Sequence, residues 1–171
     1  MNKYILMWIA ALGLVACQPG ADDDTVDPET VLEPFEEALA ALGAAMTAHA
    51  DAVASAADDA AIMAEEASFA ETAGALIEAC AHAAEDLGMC SGMDDDAMGP
   101  GDVTAMFEGF EETFAAHHDA MDAAADKAAE EATFQAEGDL HMGHGTDLSD
   151  DMHAHADEGE LTCMMMGEHS D

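Results

Sequence analysis

Three stretches of the chain place their apolar residues at alternating steps of three and four. Because a helix completes a turn every ~3.6 residues, these steps put the residues on one stripe of a helix. The stripes are, in chain order, Leu32, Phe35, Leu39, Leu42, Met46, His49, Val53 and Ala56; Ile62, Glu66, Phe69, Ala73, Leu76, Cys80, Ala83 and Leu87; and Val103, Phe107, Phe110, Phe114, His117, Met121, Ala124 and Ala128. Stripes of this length predict helices that pack side by side along a seam.

The two halves of the chain resemble each other. Residues 48–58 match residues 116–126, and residues 65–69 match residues 130–134. The offset between the copies shortens by three residues from the first pair of blocks to the second. A change of this kind is easier to place in a turn than inside a packed helix, so each half is predicted to be a helical hairpin.

The repeat predicts hairpin turns near Asp58 and Asp126. Two repeated helical hairpins make an all-α, up-down four-helix bundle the leading fold. The alternative is two unbroken helices, 34–87 and 103 to about 137, paired as a coiled coil.

Glycine and proline set the expected boundaries of the bundle. We expect a bundle over 29–158, with hairpin 1 at 29–87, a loop at 88–101, hairpin 2 at 102–158 and a mobile tail at 159–171. The fourth helix carries Gly138, Gly143 and Gly145 and few large apolar residues, so we expect it to be weak or broken near 138–146.

The charge of the chain limits its partners. Only 2 Lys and Arg face 39 Asp and Glu, which gives a formal net charge of -37. Binding to nucleic acid through a basic surface is therefore excluded, and charge-driven partners must be cations. The acidic runs read as solvated surface rather than as catalytic carboxylates, so we expect no enzymatic activity.

The N-terminus has the features of an export signal. Residues 1–16 combine a basic start at Lys3 with an apolar run too short to span a membrane. The run ends in Leu14-Val15-Ala16-Cys17, which resembles the lipobox of bacterial lipoproteins. The resemblance implies a signal peptide at 1–16, a lipid on Cys17, an acidic tether at 17–28 and a place in the cell envelope. In Gram-negative lipoproteins, a Gln after the Cys, here Gln18, is compatible with sorting to the outer membrane.

Four polar residues occupy seam positions that are normally apolar. His49 and Glu66 lie at equal distances from the first predicted turn, and His117 and Glu131 lie on either side of the second. Each hairpin therefore sets a histidine opposite a glutamate, and the repeat brings both pairs to one end of the bundle. We expect either two structural His–Glu pairs that fix the register or a metal site with two His and two carboxylate ligands.

A second set of ligand types lies toward the C-terminus. Its histidines are His141, His144, His153 and His155, and methionines and Cys163 lie among them. Imidazole, thioether and thiolate groups suit copper, above all Cu(I), and also zinc. The spacing matches no structural zinc motif, so an acidic tail with incidental His and Met residues is the alternative.

Three cysteines remain after Cys17, and an exported protein favours their oxidation. A bond between Cys80 and Cys90 would be strained, because Cys80 lies about 10 Å before the expected end of its helix. The ends of the second and fourth helices share one end of an up-down bundle. Cys90 with Cys163 is therefore the first choice of disulfide, and Cys80 with Cys163 is the second.

Together these features predict an acidic, helical lipoprotein of the envelope that binds or sequesters copper or zinc. In composition the chain is loosely similar to His- and Met-bearing periplasmic helical metal-binding proteins. The alternative is a lipoprotein with a structural or protein-interaction role and no metal. The expected partners are the membrane, through the lipid anchor, and cations; a homodimer is possible, since an Ala-rich hairpin can complete its core with a second copy.

Overall fold

A computed structural model describes residues 25–93 and 98–164. It contains the helices α1 (Pro28–Ser55), α2 (Asp59–Leu87), α3 (Pro100–Ala123) and α4 (Lys127–Glu158), and the short strands β1 (Thr25–Val26), β2 (Cys90–Ser91) and β3 (Thr162–Met164). Each helix packs against the next, and α4 packs against α1. The predicted all-α four-helix bundle is confirmed. The expected signal peptide, the lipidation site Cys17 and residues 165–171 lie outside the described residues.

Both hairpin turns lie where the repeat predicts them. Asp58 caps α2 by accepting a hydrogen bond from Ala61 N at 2.9 Å, and Asp126 caps α4 by accepting one from Ala129 N at 3.1 Å. An aspartate at this position satisfies a backbone N–H that the helix leaves unpaired, and its charge suits the positive end of the helix dipole. The duplicated Asp therefore fixes where each hairpin reverses.

The core follows the predicted stripes, with one shift. From Leu32 to Val53 in α1, and from Val103 to Met121 in α3, the stripe residues are buried. In α2, however, Ile77 is buried in place of the predicted Leu76, which is half-buried. A straight helix turns every ~3.6 residues and so drifts from a strict seven-residue repeat, which accounts for the change of residue.

The expectation that α4 would be weak or broken is wrong, because the helix is continuous from Lys127 to Glu158. Its buried glycines serve close packing instead. A Cβ atom at Gly138 would overlap Met46 Cε, and one at Gly145 would lie 2.8 Å from Leu39 Cδ1. The missing side chains let α1 residues fill the space, so burial compensates for the poor helix propensity of glycine.

A three-stranded antiparallel sheet closes the end of the bundle where α1 begins and α4 ends. The strand order is β1-β3-β2, and Cys163 faces Val26 on one side and Cys90 on the other. Cys90 and Cys163 form a disulfide, the first choice from the sequence, while Cys80 is buried and unpaired among the described residues. The tail expected to be mobile from residue 159 is thus instead fixed as far as Met164.

We name the two ends of the bundle by what lies there. The sheet end carries the disulfide, and the turn end carries the two hairpin turns. Within residues 25–93 and 98–164, none of the helices combines the length and apolar character needed to cross a membrane.

Candidate metal centre

The four polar seam residues meet near the turn end of the bundle, one from each helix. We call His49 of α1, Glu66 of α2, His117 of α3 and Glu131 of α4 the His–Glu centre. They are only 1%, 2%, 4% and 6% exposed. The repeat explains this meeting, because each hairpin contributes one histidine and one glutamate at the same level.

The ligand atoms of the His–Glu centre converge. His49 Nε2 lies 3.0 Å from Glu66 Oε1 and 3.3 Å from Glu131 Oε2. His117 Nε2 lies 3.2 Å from Glu131 Oε2 and 3.5 Å from Glu66 Oε2. Both imidazoles therefore present the same ring nitrogen to both carboxylates, rather than forming two separate pairs.

The contacts within the centre are not equivalent hydrogen bonds. His117 Nε2 and Glu131 Oε2 form a hydrogen bond. Among the described residues, both ring nitrogens of His49 and Oε1 of Glu66 are buried without a well-aligned hydrogen-bond partner, although His49 Nε2 and Glu66 Oε1 lie 3.0 Å apart. Buried polar atoms are normally hydrogen-bonded, so this side of the centre lacks a partner that an ion could supply.

Neighbouring side chains fix the orientation of the four residues. The His49 ring stacks on Phe69 at 4.0 Å between ring centroids, and the His117 ring stacks on Phe134 at 3.9 Å. Gln135 Nε2 donates to Glu131 Oε1 at 2.7 Å and to the Met46 carbonyl at 3.2 Å. Such supporting contacts restrict the rotamers of potential ligands before any ion binds.

Burial and mutual attraction oppose each other in the titration of these groups. Burial alone would lower the pKa of His49 and His117, but the nearby carboxylates of Glu131 and Glu66 outweigh it and raise each pKa to about 9. Burial alone would raise the pKa of Glu66 and Glu131, but the two imidazoles outweigh it and lower each pKa to about 2. At neutral pH the metal-free centre therefore holds two imidazolium cations and two carboxylate anions.

The donor set fits a divalent transition metal. Imidazole nitrogen and carboxylate oxygen bind zinc at about 2.0 Å, and a tetrahedron of such bonds places its ligand atoms about 3.3 Å apart. The four N to O distances, from 3.0 to 3.5 Å, bracket this value. Glu66 faces His49 through Oε1 and His117 through Oε2. One ligand atom from each of the four residues lies within 4.8 Å of the other three.

A surface groove borders the centre at His117. It has a volume of about 290 Å³ and lies between α3 and α4. His117 and Phe134 line its floor, and Glu130 and Glu137 line its rim. The carboxylates at the rim make the groove attractive to cations, which is consistent with the overall charge of the chain.

The C-terminal histidines do not form the single cluster considered from the sequence. All four lie on α4, but His153 pairs with Glu36 of α1 at 2.8 Å, and the His141 ring packs on Phe110 of α3. Burial lowers the pKa of His141, because it disfavours the charged form of the imidazole. A continuous helix turns these side chains to different faces, so the proposed common site of His141, His144, His153 and His155 does not form.

The other two histidines have separate surroundings. His144 Nδ1 lies 2.9 Å from Met106 Sδ of α3. His155 forms a loose group with Glu158 and Glu160, in which both glutamates are exposed. Exposed acidic groups of this kind are common on proteins, so this group does not indicate a functional site.

Three supporting residues were not predicted from the sequence, although a signal was present. Gln135 lies four residues after Glu131, which is the spacing of neighbours on a helix surface. Phe69 and Phe134 each lie three residues after the glutamate of their repeat. Their partner rings come from another helix, so the stacking itself requires the three-dimensional arrangement.

No known protein family, curated protein or solved structure matches this chain.

Proposed function

We propose that this protein is an envelope-anchored lipoprotein that binds one divalent transition-metal ion, zinc in the first place and copper in the second, at the His–Glu centre. The observation that carries the proposal is the convergence of His49, Glu66, His117 and Glu131, all buried, at distances that suit a tetrahedral ion. Four protein ligands leave no open position, so the site favours holding an ion over catalysis.

The charge balance of the centre supports a divalent ion. Two imidazoliums and two carboxylates sum to zero, and so do a divalent cation, two neutral imidazoles and two carboxylates. Replacing two protons by one such ion therefore leaves no net charge buried in the core. A monovalent ion with neutral imidazoles would leave an uncompensated carboxylate, which is costly at this depth.

The nature of the donors supports zinc over Cu(I). Nitrogen and carboxylate oxygen suit divalent ions such as Zn(II) and Cu(II), whereas Cu(I) prefers sulfur. A tetrahedral arrangement favours Zn(II), because Cu(II) prefers a tetragonal one.

The alternative function is structural, with the four charges serving only to hold the helices in register. The mutual neutrality of the centre favours this alternative, because the ion pairs are complete without a metal. The unpartnered atoms of His49 and Glu66 favour the metal. The two functions differ in their response to added zinc.

The test is calorimetric titration of zinc into the metal-free protein, together with its melting curve. We expect binding of one zinc ion, and at about 100 times the dissociation constant a stabilisation of about 2.7 kcal/mol. The variant His49→Gln/His117→Gln should lose both responses. The matched control His82→Gln/His153→Gln, which removes two exposed histidines, should keep them. Zinc binding that persists in the first variant, or never occurs in the wild type, overturns the proposal.

The anchor is tested separately by labelling cells with a fatty-acid analogue. Cys17 should carry the label and Cys17→Ser should not. Only seven residues lie between Cys17 and Thr25 at the sheet end, and His49 lies 21 positions along α1 from Pro28. The anchor would therefore hold the sheet end close to the membrane, and the His–Glu centre lies about 30 Å from that end along α1.

A further inference from the structure

A second pair of side chains that can ligate a metal lies on the other half of the bundle. His144 Nδ1 of α4 and Met106 Sδ of α3 are 2.9 Å apart and half-buried. His144 is 13 residues from Glu131 along α4, which corresponds to about 20 Å. The pair is therefore too far from the His–Glu centre to contribute to it.

The surroundings of this pair supply further donors and access from solvent. His144 lines a surface cavity of about 320 Å³ together with Met98, Asp147 and Asp151. Met98 brings a second thioether to the same cavity and is 43% exposed. The two aspartates make the opening negative, which favours the approach of a cation.

A neighbouring histidine adds a second observation. His141 lies three residues before His144, one helical turn away on α4. His141 Nδ1 is buried and has no hydrogen-bond partner among the described residues. An unpartnered imidazole nitrogen one helical turn from a thioether–imidazole pair points to a ligand, because buried polar atoms normally have a partner.

We propose that Met106 and His144, with Met98 and His141 as additional donors, form a site for a soft monovalent metal ion of the Cu(I) class. Thioether sulfur and imidazole nitrogen are the ligands that select Cu(I), whereas the His–Glu centre lacks sulfur and suits a divalent ion. The protein would then carry two metal sites of different chemical preference, one on each half of the bundle. This site stands or falls independently of the His–Glu centre.

The probe for this site is Ag(I), which has the ligand preferences of Cu(I) and needs no reductant. All variants are made in the full chain carrying Cys17→Ala and Cys80→Ala, so that no free thiol competes for the ion. Calorimetric titration of this background protein should show one Ag(I) ion bound. Met106→Leu and His144→Gln should each weaken Ag(I) binding at least about tenfold, because each removes one of the few side chains that would bind the ion.

Three controls separate the two sites. Met142→Leu and His153→Gln remove a methionine and a histidine of α4 that contact α1, and both should bind Ag(I) as the background protein does. His49→Gln/His117→Gln should also bind Ag(I) normally, and zinc should not compete. Met106→Leu conserves volume and should melt as the background protein does, so a loss of binding cannot be assigned to unfolding.

X-ray absorption at the silver edge provides a second measurement. The background protein should show sulfur and nitrogen ligands to Ag(I), and Met106→Leu should show less sulfur. Unchanged affinity in both Met106→Leu and His144→Gln overturns the proposal. Weak binding of several ions, spread over the 14 methionines of the chain, overturns it as well.

Discussion

The sheet end and the turn end of the bundle are stabilised by different means. At the sheet end, Leu32, Leu87 and Val103 are fully buried, and the Cys90–Cys163 disulfide ties β3 to β2. Near the turn end, four titratable side chains take the place of apolar residues in the core. Apolar burial and a covalent bond respond little to pH or ions, whereas a buried charge network responds to both. We therefore expect the two ends to respond to different perturbations.

The largest expected effect belongs to the sheet end. The disulfide closes a segment with a sequence separation of 73, so its loss should lower the free energy of unfolding by about 4 kcal/mol. Urea denaturation of Cys90→Ser/Cys163→Ser measures the loss. Zinc affinity of the folded variant should be unchanged, because the His–Glu centre lies about 30 Å away along α1.

The wild-type protein treated with a reductant is the matched control for this variant. It should lose the same stability, since both treatments remove the same cross-link. A loss of zinc affinity in the folded variant would contradict the independence of the two ends.

The second largest expected loss of stability follows from a substitution near the turn end. Glu66→Ala removes one carboxylate that faces both His49 and His117. Breaking a buried charge network leaves its remaining members without compensation and should lower the free energy of unfolding by about 3 kcal/mol. Urea denaturation without metal measures it.

The control for Glu66→Ala is its neighbour in sequence. The Glu65 side chain is 37% exposed and lies 3.9 Å from His49 Nδ1. Glu65→Ala should therefore change stability by no more than about 0.5 kcal/mol. Equal effects of the two substitutions would show that burial of the charge network does not matter.

The response to pH is a third expected difference between the ends. The pKa values of His49 and His117 are raised from 6.5 to about 9 on folding, so their contribution to stability is present below 6.5 and is lost as pH rises through 9. The pKa values of Glu66 and Glu131 are lowered from 4.5 to about 2, so their contribution is present above 4.5 and is lost as pH falls through 2.

The metal-free protein should therefore be most stable between these limits, near pH 4.5 to 6.5. From about pH 7 to about pH 8 we expect a loss of about 2 kcal/mol in the free energy of unfolding, measured by urea denaturation in a chelator. The variant His49→Gln/His117→Gln should show no such slope. A slope that persists in this variant would place the responsible groups elsewhere.

The two ends also differ in how far the sequence predicts them. The members of the His–Glu centre could be predicted from the sequence. The helical period and the position of the turn place His49 and Glu66 at the same height along the first hairpin, and the repeat adds His117 and Glu131. Apolar stripes of α1 and α3 predict their buried faces for the same reason. These features depend on spacing along the chain, which a helix converts directly into position.

Other features depend on contacts between distant segments. Gly138 and Gly145 resemble helix breakers in the sequence, but the α1 side chains that fill the space beside them lie about a hundred residues away. The contact of Met106 with His144 and the sheet at Cys163 have the same character. Neither local propensity nor period encodes such contacts, so the continuity of the fourth helix and the contact of Met106 with His144 could not be predicted from the sequence.

The smallest expected effect is shared by both ends. The net charge of -37 is spread mainly over the outer surface, since only Glu66 and Glu131 among the acids are buried in the described residues. Repulsion between surface charges is screened as the Debye length shortens from about 30 Å at 0.01 M salt to about 10 Å at 0.1 M. Melting temperature should therefore rise with NaCl, by an amount equivalent to about 1 kcal/mol.

The salt response also sharpens the comparison of the two ends. Because the charge lies on the surface of the whole bundle, the increase should be equal in Cys90→Ser/Cys163→Ser and in Glu66→Ala. Choline chloride should act like NaCl, since screening depends on ionic strength and not on the identity of the cation. An increase with NaCl but not with choline chloride would indicate specific binding of sodium. A smaller increase in melting temperature in Glu66→Ala alone would show instead that salt acts on the buried His–Glu centre. It would contradict the view that the salt response comes from the charged surface.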